Sequence, residues 1–193
     1  EKSDGLGGHL RVLSASKHRR SWWNAAEDRM TKLRKAGVKV VTGTEVAPEH
    51  VSEAKPEVLV LATGSKPFMP PYIPGIDQPI VTDYQALTNG TMKPGRNVVV
   101  MGGQELGLTV AEYLSEHGAK VTVVDDSAAI GRDLEGITAA VMLPRIEADP
   151  NITVRVQTNI EAIGPDHVVV QCGGQTETIS GVDQVVYAWH RDM

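Results

Sequence analysis

Apolar and polar positions recur along the chain with two different periods, and each change of period predicts a new element. Helical spacing extends over Trp22–Ala36, and Gly37 follows where a helix would end. Two apolar runs come next, Val38–Thr44 and Glu57–Gly64, and both are predicted to be strands. The second run is apolar at consecutive positions, which is typical of a strand buried on both faces of a sheet.

A proline-rich segment then separates the chain into two parts. It carries five prolines: Pro67, Pro70, Pro71, Pro74 and Pro79. Proline fixes φ and has no backbone donor, so this segment is predicted to be an extended crossover. We therefore place a domain boundary near Ile80–Asp83, with residues 1–79 in a first lobe and residues 80–193 in a second.

The second part alternates strands and helices more fully. A strand is predicted over Asn97–Met101, a helix over Glu105–His117 that Gly118 ends, and a strand over Lys120–Asp125. The remaining predicted elements are a helix over Leu134–Ala148, interrupted at Pro144, and strands over Ile152–Gln157, Ile160–Ile163, His167–Gln171, Glu177–Ser180 and Val182–Ala188. This alternation predicts an α/β fold, with a parallel sheet and helices on both of its faces.

Composition and charge exclude several classes of partner and of site. The 193 residues are 41% hydrophobic and 22% charged, as in ordinary soluble globular proteins, and the net charge is -5. A negative chain is not expected to bind nucleic acid or an anionic membrane, and its apolar runs are too short to span a bilayer. The single cysteine, Cys172, excludes an internal disulfide framework and is expected to be a small apolar strand residue, which favours the cytoplasm. The spacing of the histidines does not predict a metal site.

The candidate chemistry lies in VVVMGGQELG, where an apolar strand runs into glycines and then into a helix. In a dinucleotide-binding turn, G-x-G-x-x-G, the first glycine makes the turn, the second admits a pyrophosphate and the third lets helix and strand pack closely. Gly102 and Gly107 stand at the first and third positions, with Gly103 between them, but Gln104 stands at the second. Asp125 ends the next strand, where an acid binds the adenine ribose and favours NAD(H) or ADP over NADP(H).

Gln104 leaves two interpretations of this turn open. Its side chain projects into the space that the pyrophosphate uses, and the carboxylate of Glu105 repels a diphosphate while favouring the helix dipole. Conversely, the Gln104 amide is able to donate to a phosphate oxygen. The residues favour an impaired nucleotide site and leave a competent one as the alternative.

Three stretches together resemble one family. EKSDGLGG is similar to the end of the second strand of an FAD-binding Rossmann half, and EVLVLATGS resembles the A-T-G strand of flavoproteins with two dinucleotide domains. VVVMGGQELG, followed by VVDD, falls where their inserted NAD(P)H domain begins. The order of these stretches, and details such as GGHLRVLS, resemble the C-terminal part of the trimethylamine dehydrogenase and 2,4-dienoyl-CoA reductase group. These are NADH:flavin oxidoreductases related to Old Yellow Enzyme.

The resemblance implies two linked Rossmann-like lobes, of which the first is an incomplete FAD-binding half and the second an NAD(P)H-type domain. By matching position, the residues expected beside the adenosine or the dinucleotide of FAD or ADP are Glu1, Gly7, Gly8, Thr63 and Gly64. Those expected to line a second site for NADH or ADP are Gly102, Gly103, Gln104, Gly107 and Asp125. As alternatives, the glycine pair is a simple turn, Thr63–Gly64 is a strand end, and Asp125 is a solvated acid.

The resemblance also implies what this chain lacks. In the family an N-terminal flavin barrel carries FMN, and often an iron–sulfur cluster, and performs the substrate chemistry, so we expect that barrel as a partner. No residue of the chain is assigned a catalytic role, and no turnover is expected from the chain alone. In the trimethylamine dehydrogenase branch the second site is not used for hydride transfer, and bound ADP is a feature of the family, so a non-catalytic ADP-binding or structural module is the alternative.

The segment KHRRSWW places two tryptophans beside a basic cluster. With a negative chain around it, this cluster does not predict nucleic-acid binding. Trp22 and Trp23 are expected to pack a helix start onto the sheet or onto a partner domain. Exposed to solvent, they would give the chain a reason to self-associate as a homo-oligomer.

Overall fold

The computed structural model describes residues 1–192, and this part of the chain contains six helices and ten strands. The helices are α1 (His9–Leu13), α2 (Trp22–Lys35), α3 (Pro48–Ala54), α4 (Tyr84–Thr88), α5 (Glu105–Glu116) and α6 (Gly136–Ala148). The strands are β1 (Lys66–Phe68), β2 (Val81–Asp83), β3 (Asn97–Met101), β4 (Lys120–Val124), β5 (Ile152–Arg155), β6 (Thr158–Ile163), β7 (His167–Cys172), β8 (Gln175–Ser180), β9 (Gln184–Tyr187) and β10 (His190–Asp192).

A five-stranded parallel sheet forms the centre of the molecule, in the order β2-β9-β3-β4-β5. The remaining strands form an antiparallel sheet, β6-β7-β8, and an antiparallel pair, β1-β10. The parallel sheet confirms the predicted α/β fold. It also explains why β3 is apolar at consecutive positions, since both of its faces are covered: Val98, Val99, Val100 and Met101 are all buried.

The two faces of the central sheet are covered by different layers. Val98 and Val100 face α5, where Leu108 and Leu114 complete one apolar core. Val99 and Met101 belong to a second core, which residues Ile163, Val168 and Val170 of the antiparallel sheet complete. The expectation of helices on both faces is therefore corrected, because in the described residues one face carries helices and the other carries the antiparallel sheet.

The predicted strands Val38–Thr44 and Glu57–Gly64 are wrong. Neither range forms a strand, and Val58, Val60 and Leu61 are exposed over 77%, 79% and 78% of their surfaces. A strand is stabilised by hydrogen bonds to a neighbour, and in the described part of residues 1–79 the strand that forms, β1, pairs with β10 instead. Main-chain hydrogen bonds do connect residues 1–3 with residues 41–44, but the two segments do not form strands.

The predicted elements of the second part are confirmed to within a few residues, except that the interruption predicted at Pro144 is wrong. Helix α6 continues through Pro144, and Met142 and Ile146 on either side of it are buried in the core. Strand β3 and helix α5 begin at the predicted positions, and Gly118 follows α5 with a φ of 83° that favours glycine.

Six elements were not predicted: α1, α3, α4, β1, β2 and β10. Helix α4 begins where the domain boundary was placed, and Asp83 caps it by accepting a hydrogen bond from the Ala86 N–H at 2.8 Å. No described helix is long and apolar enough to cross a membrane.

The contrast between the buried and exposed leucines predicts a difference in stability. Leu114→Ala should lower the free energy of unfolding by about 2–5 kcal/mol, because Leu114 is fully buried beneath the sheet. The matched control, Leu61→Ala, should change it by less than about 0.5 kcal/mol, since Leu61 is exposed. Urea unfolding followed by circular dichroism measures both. A large loss in the Leu61 variant would contradict the exposed placement of this segment.

Candidate functional sites

A cavity of about 1010 Å³ lies at the amino-terminal part of the chain. Its walls include Glu1, Gly8, Thr63 and Gly64, which the sequence analysis singled out from two stretches more than fifty residues apart. The fifth predicted residue, Gly7, does not line the cavity, and an added Cβ there would stand 2.7 Å from the ring of Trp23. The structure thus brings four of the five predicted residues together around one cavity.

The glycines leave the main chain accessible on two sides of this cavity. Gly8 and Gly64 have φ values of 44° and 73°, and no other heavy atom of the described residues lies within 4 Å of a Cβ position on either. Any side chain at these positions would be strained and would project into empty space. Both positions therefore allow a ligand to approach the backbone closely.

The carboxylate of Glu1 is fixed at the edge of the cavity. It accepts a hydrogen bond from the Ser3 N–H at 2.9 Å, and this bond lowers the pKa of the Glu1 carboxyl. The carboxylate is therefore ionised at neutral pH and acts as a hydrogen-bond acceptor.

Arg11 and Trp23 also line this cavity, and the sequence analysis did not predict them as site residues. The Arg11 guanidinium lies 4.8 Å above the centre of the Trp23 ring, and its Nε donates to the carbonyl oxygen of Leu6 at 3.0 Å. A cation and an aromatic surface are the groups that bind phosphates and purine rings. Trp23 stands in the stretch KHRRSWW and Arg11 in GGHLR. Their contact depends on the packing of α1 on α2, which these two stretches do not predict by themselves.

The second candidate site is the turn between β3 and α5, and its first and third glycines are sterically required. Gly102 has a φ of 108°, and an added Cβ would stand 2.8 Å from the carbonyl oxygen of Ala188. A Cβ on Gly107 would overlap the carbonyl oxygen of Gly102. These are the tight turn and the close helix–strand approach of a dinucleotide-binding corner.

Gln104 occupies the second glycine position and precedes α5 as its N-cap residue. Its backbone is extended, with φ -88° and ψ -177°, and its side chain does not cap the helix. The side-chain Oε1 is buried without a hydrogen-bond partner among the described residues. The amide at this position is therefore partly enclosed by the protein.

Asp125 is buried, rather than being a solvated acid. Its Oδ2 accepts a hydrogen bond from the Gly103 N–H at 2.6 Å, and its Oδ1 accepts one from the Ser127 N–H at 2.8 Å. Gly103 has no room for a side chain, since a Cβ there would stand 2.6 Å from Cγ2 of Ile130. The carboxylate thus holds the glycine turn and the loop after β4 together.

Two further charged groups lie at this turn, and the sequence analysis did not identify them. Asp133 accepts a hydrogen bond from the Glu105 N–H at 2.8 Å, and Arg19 forms an ion pair with the Glu105 carboxylate at 2.8 Å. Arg19 is only 3% exposed and also lies 4.7 Å above the Trp22 ring. Trp22 and Trp23 thus each support an arginine at a different candidate site.

Comparisons with known proteins support the presence of a dinucleotide-binding region in this chain. Residues 24–189 match the family described as pyridine nucleotide-disulphide oxidoreductase. An NADH oxidase of Thermoanaerobacter brockii is 36% identical over 147 residues, which cover 72% of this chain and 22% of the relative.

Solved structures extend the similarity over nearly the whole chain. A 2-naphthoyl-CoA reductase in complex with 2-naphthoyl-CoA has a TM-score of 0.90 at 31% identity, covering 99% of this chain and 29% of its own. The histamine dehydrogenase of Rhizobium sp. 4-9, at 21% identity, shares the fold with a TM-score of 0.78, over 99% of this chain and 31% of its own. The chain thus spans between about a fifth and a third of the length of these proteins.

The steric role of Gly107 predicts a large cost of substitution. Gly107→Ala should lower the free energy of unfolding by about 3 kcal/mol or more, because the new Cβ can be accommodated only if α5 or β3 moves. Gly136→Ala, at the start of α6, is the matched control, since apart from its own helix and chain neighbours no heavy atom of the described residues lies within 4 Å of its Cβ position. It should raise stability by up to about 1 kcal/mol. Equal urea midpoints for the two variants would contradict the close approach.

Proposed function

Because the chain belongs to the pyridine nucleotide-disulphide oxidoreductase family, we propose that it is the dinucleotide-binding C-terminal portion of an FMN- and FAD-dependent NADH:flavin oxidoreductase. In this role it helps to transfer electrons between a nicotinamide, or a carrier protein, and flavin. The flavin supplies the redox chemistry when bound, and the residues of this chain bind and orient it. No residue of the chain is given the role of a general acid or base.

The convergence of residues 1–8 and 62–65 on one cavity is the observation that carries this proposal. The stretches were singled out for their similarity to the adenosine and dinucleotide contacts of an FAD-binding half. A cavity of about 1010 Å³ is large enough for a nucleotide, since ligand pockets for small molecules usually measure about 300–1,000 Å³.

The residues around the cavity fit the ADP part of FAD. The ionised Glu1 carboxylate accepts hydrogen bonds, which are what ribose hydroxyls donate. Gly8 and Gly64 allow the main chain to come close to a pyrophosphate. The Arg11 guanidinium, which lies above the Trp23 ring in the same wall, provides positive charge for a phosphate.

The rest of the proposed enzyme lies outside this chain. We place FMN and an iron–sulfur cluster in the flavin barrel that is the expected partner. The names of the similar proteins, an NADH oxidase and a 2-naphthoyl-CoA reductase, support a reductase context. The substrate of the parent enzyme is not assigned.

A second candidate function is a non-catalytic module that binds ADP or serves only as structure. Two observations at the second turn favour it: Gln104 replaces the glycine beside the pyrophosphate, and the Asp125 carboxylate already accepts hydrogen bonds from its own chain. Under this function the first cavity binds ADP and the second turn binds no nicotinamide.

Calorimetric titrations with FAD, ADP and NADH distinguish these functions. We expect FAD and ADP to bind, and ligand at about 100 Kd should stabilise the fold by ~2.7 kcal/mol. Reduction of bound flavin by NADH supports the oxidoreductase function, whereas binding of ADP alone supports the module. An absence of binding by FAD and ADP would contradict the proposed role of the first cavity.

Glu1 should contribute measurably to adenosine binding. Glu1→Gln is expected to weaken the binding of FAD or ADP about tenfold, because hydrogen bonds to a charged acceptor typically contribute about 1.5–3 kcal/mol. Glu57→Gln is the control, since it removes the same charge from an exposed residue outside the cavity wall. Dissociation constants are measured by calorimetry at constant salt, and equal constants for the two variants would remove Glu1 from the site.

A further inference from the structure

The turn between β3 and α5 already holds two carboxylates of its own chain. Asp125 accepts a hydrogen bond from the Gly103 N–H at 2.6 Å, and Asp133 accepts one from the Glu105 N–H at 2.8 Å. Main-chain N–H groups at such a turn are the donors that bind the pyrophosphate of a dinucleotide. A diphosphate arriving here therefore competes with carboxylates that are part of the protein.

The loop that carries Asp133 is fastened to the turn at several points. The Gly131 N–H donates to the carbonyl oxygen of Gly103 at 2.7 Å, and the Leu134 N–H donates to the carbonyl oxygen of Gly131. Ile130 and Leu134, on either side of Gly131, both pack against the core beneath α5. These contacts hold the Asp133 carboxylate at the start of α5.

The cation beside this turn, Arg19, is also paired with a carboxylate of the chain. The Arg19 guanidinium is 3% exposed and forms an ion pair with the Glu105 carboxylate at 2.8 Å, in the first turn of α5. Its other side lies above the Trp22 ring. The helix N-terminus and the buried arginine beside it thus each have an anion from this chain, which reduces their attraction for a phosphate.

Gln104 gives an independent indication in the same direction. Its Oε1 is a buried acceptor without a hydrogen-bond partner among the described residues. Ionised phosphates offer only acceptor oxygens, so a pyrophosphate leaves this atom unsatisfied. The Oε1 of Gln104 therefore gains no partner from a diphosphate, to which only the NH2 group of the same amide could donate.

We propose that Asp133 determines the nucleotide affinity of the second turn, because its carboxylate occupies the N-terminus of α5 in place of a phosphate oxygen. This inference rests on the proposed function, in which NADH or ADP is the ligand of that turn. Binding of the dinucleotide requires the carboxylate to leave the Glu105 N–H. Asp133 is thus an affinity-determining residue and has no role in the redox chemistry.

The test compares two variants that lose the same charge from the same loop. Asp133→Asn keeps a side-chain oxygen for the Glu105 N–H but removes the anion, and it should tighten NADH binding about tenfold or more. Asp126→Asn is the matched control, since Asp126 is exposed and, in the described part of the chain, its carboxylate accepts a hydrogen bond from Ser127 and not from the turn. It should change the dissociation constant less than about twofold. Calorimetry measures NADH binding without added FAD, because NADH would otherwise reduce the bound flavin, and circular dichroism confirms folding.

The outcomes separate this inference from the proposed function. Equal NADH affinity in Asp133→Asn and the unsubstituted chain, or equal changes in both variants, overturns the role of Asp133 while leaving FAD binding as evidence for the first cavity. Loss of FAD and ADP binding in the unsubstituted chain contradicts the proposed function instead, and titration with inorganic pyrophosphate then still tests Asp133. If Asp133→Asn does not fold, Asp133→Ser, which also keeps an acceptor without the charge, is measured against the same control.

Discussion

The contact between helix α5 and the carbonyl oxygen of Gly102 is the constraint on which the nucleotide-type corner depends. The helix comes so close to the end of β3 that Gly107 has no space for a side chain. This approach places Leu108 and Leu114 directly over the sheet, where both are completely buried. The position of the turn, and of every group that contacts it, follows from this packing.

The two candidate sites begin with similar glycine pairs but present opposite surroundings to a ligand. At the first, Gly8 faces empty space in a cavity that also contains an arginine and an aromatic ring. At the second, Gly103 is covered by Ile130 and donates to a buried carboxylate. The difference comes from what covers each turn: Ile130, in the loop after β4, covers Gly103, whereas no other heavy atom of the described residues lies within 4 Å of a Cβ position on Gly8.

The sequence was informative wherever the relevant contacts are local in the chain. The period of apolar residues and the glycines that end helices correctly predicted β3, α5 and β4. The run Glu57–Gly64 was wrongly predicted to be a strand, because an apolar segment becomes a strand only beside a partner strand. The run of apolar residues in this segment did not by itself show whether the segment is buried.

Contacts between distant residues could not be predicted from periodicity or spacing. Asp133 meets Glu105 across 28 positions, and Arg19 meets it across 86, in each case because a loop packs on α5. The grouping of Glu1 with Thr63 was available only from the resemblance to flavoproteins. Asp125 was correctly recognised as the acid that follows the second strand of the corner, but its hydrogen bonds to Gly103 and Ser127 depend on the tertiary fold.

The antiparallel pair β1-β10 connects the two sites mechanically. β1 starts shortly after Gly64 of the cavity wall, and β10 starts directly after Trp189, whose Cα lies against Gly102. Three residues on each side form this pair, from Lys66 opposite Asp192 to Phe68 opposite His190. This pair, the Arg19–Glu105 ion pair and the packing of Val12 with Tyr84 and Leu87 together join the first cavity to the central sheet. The two sites therefore belong to one packed unit.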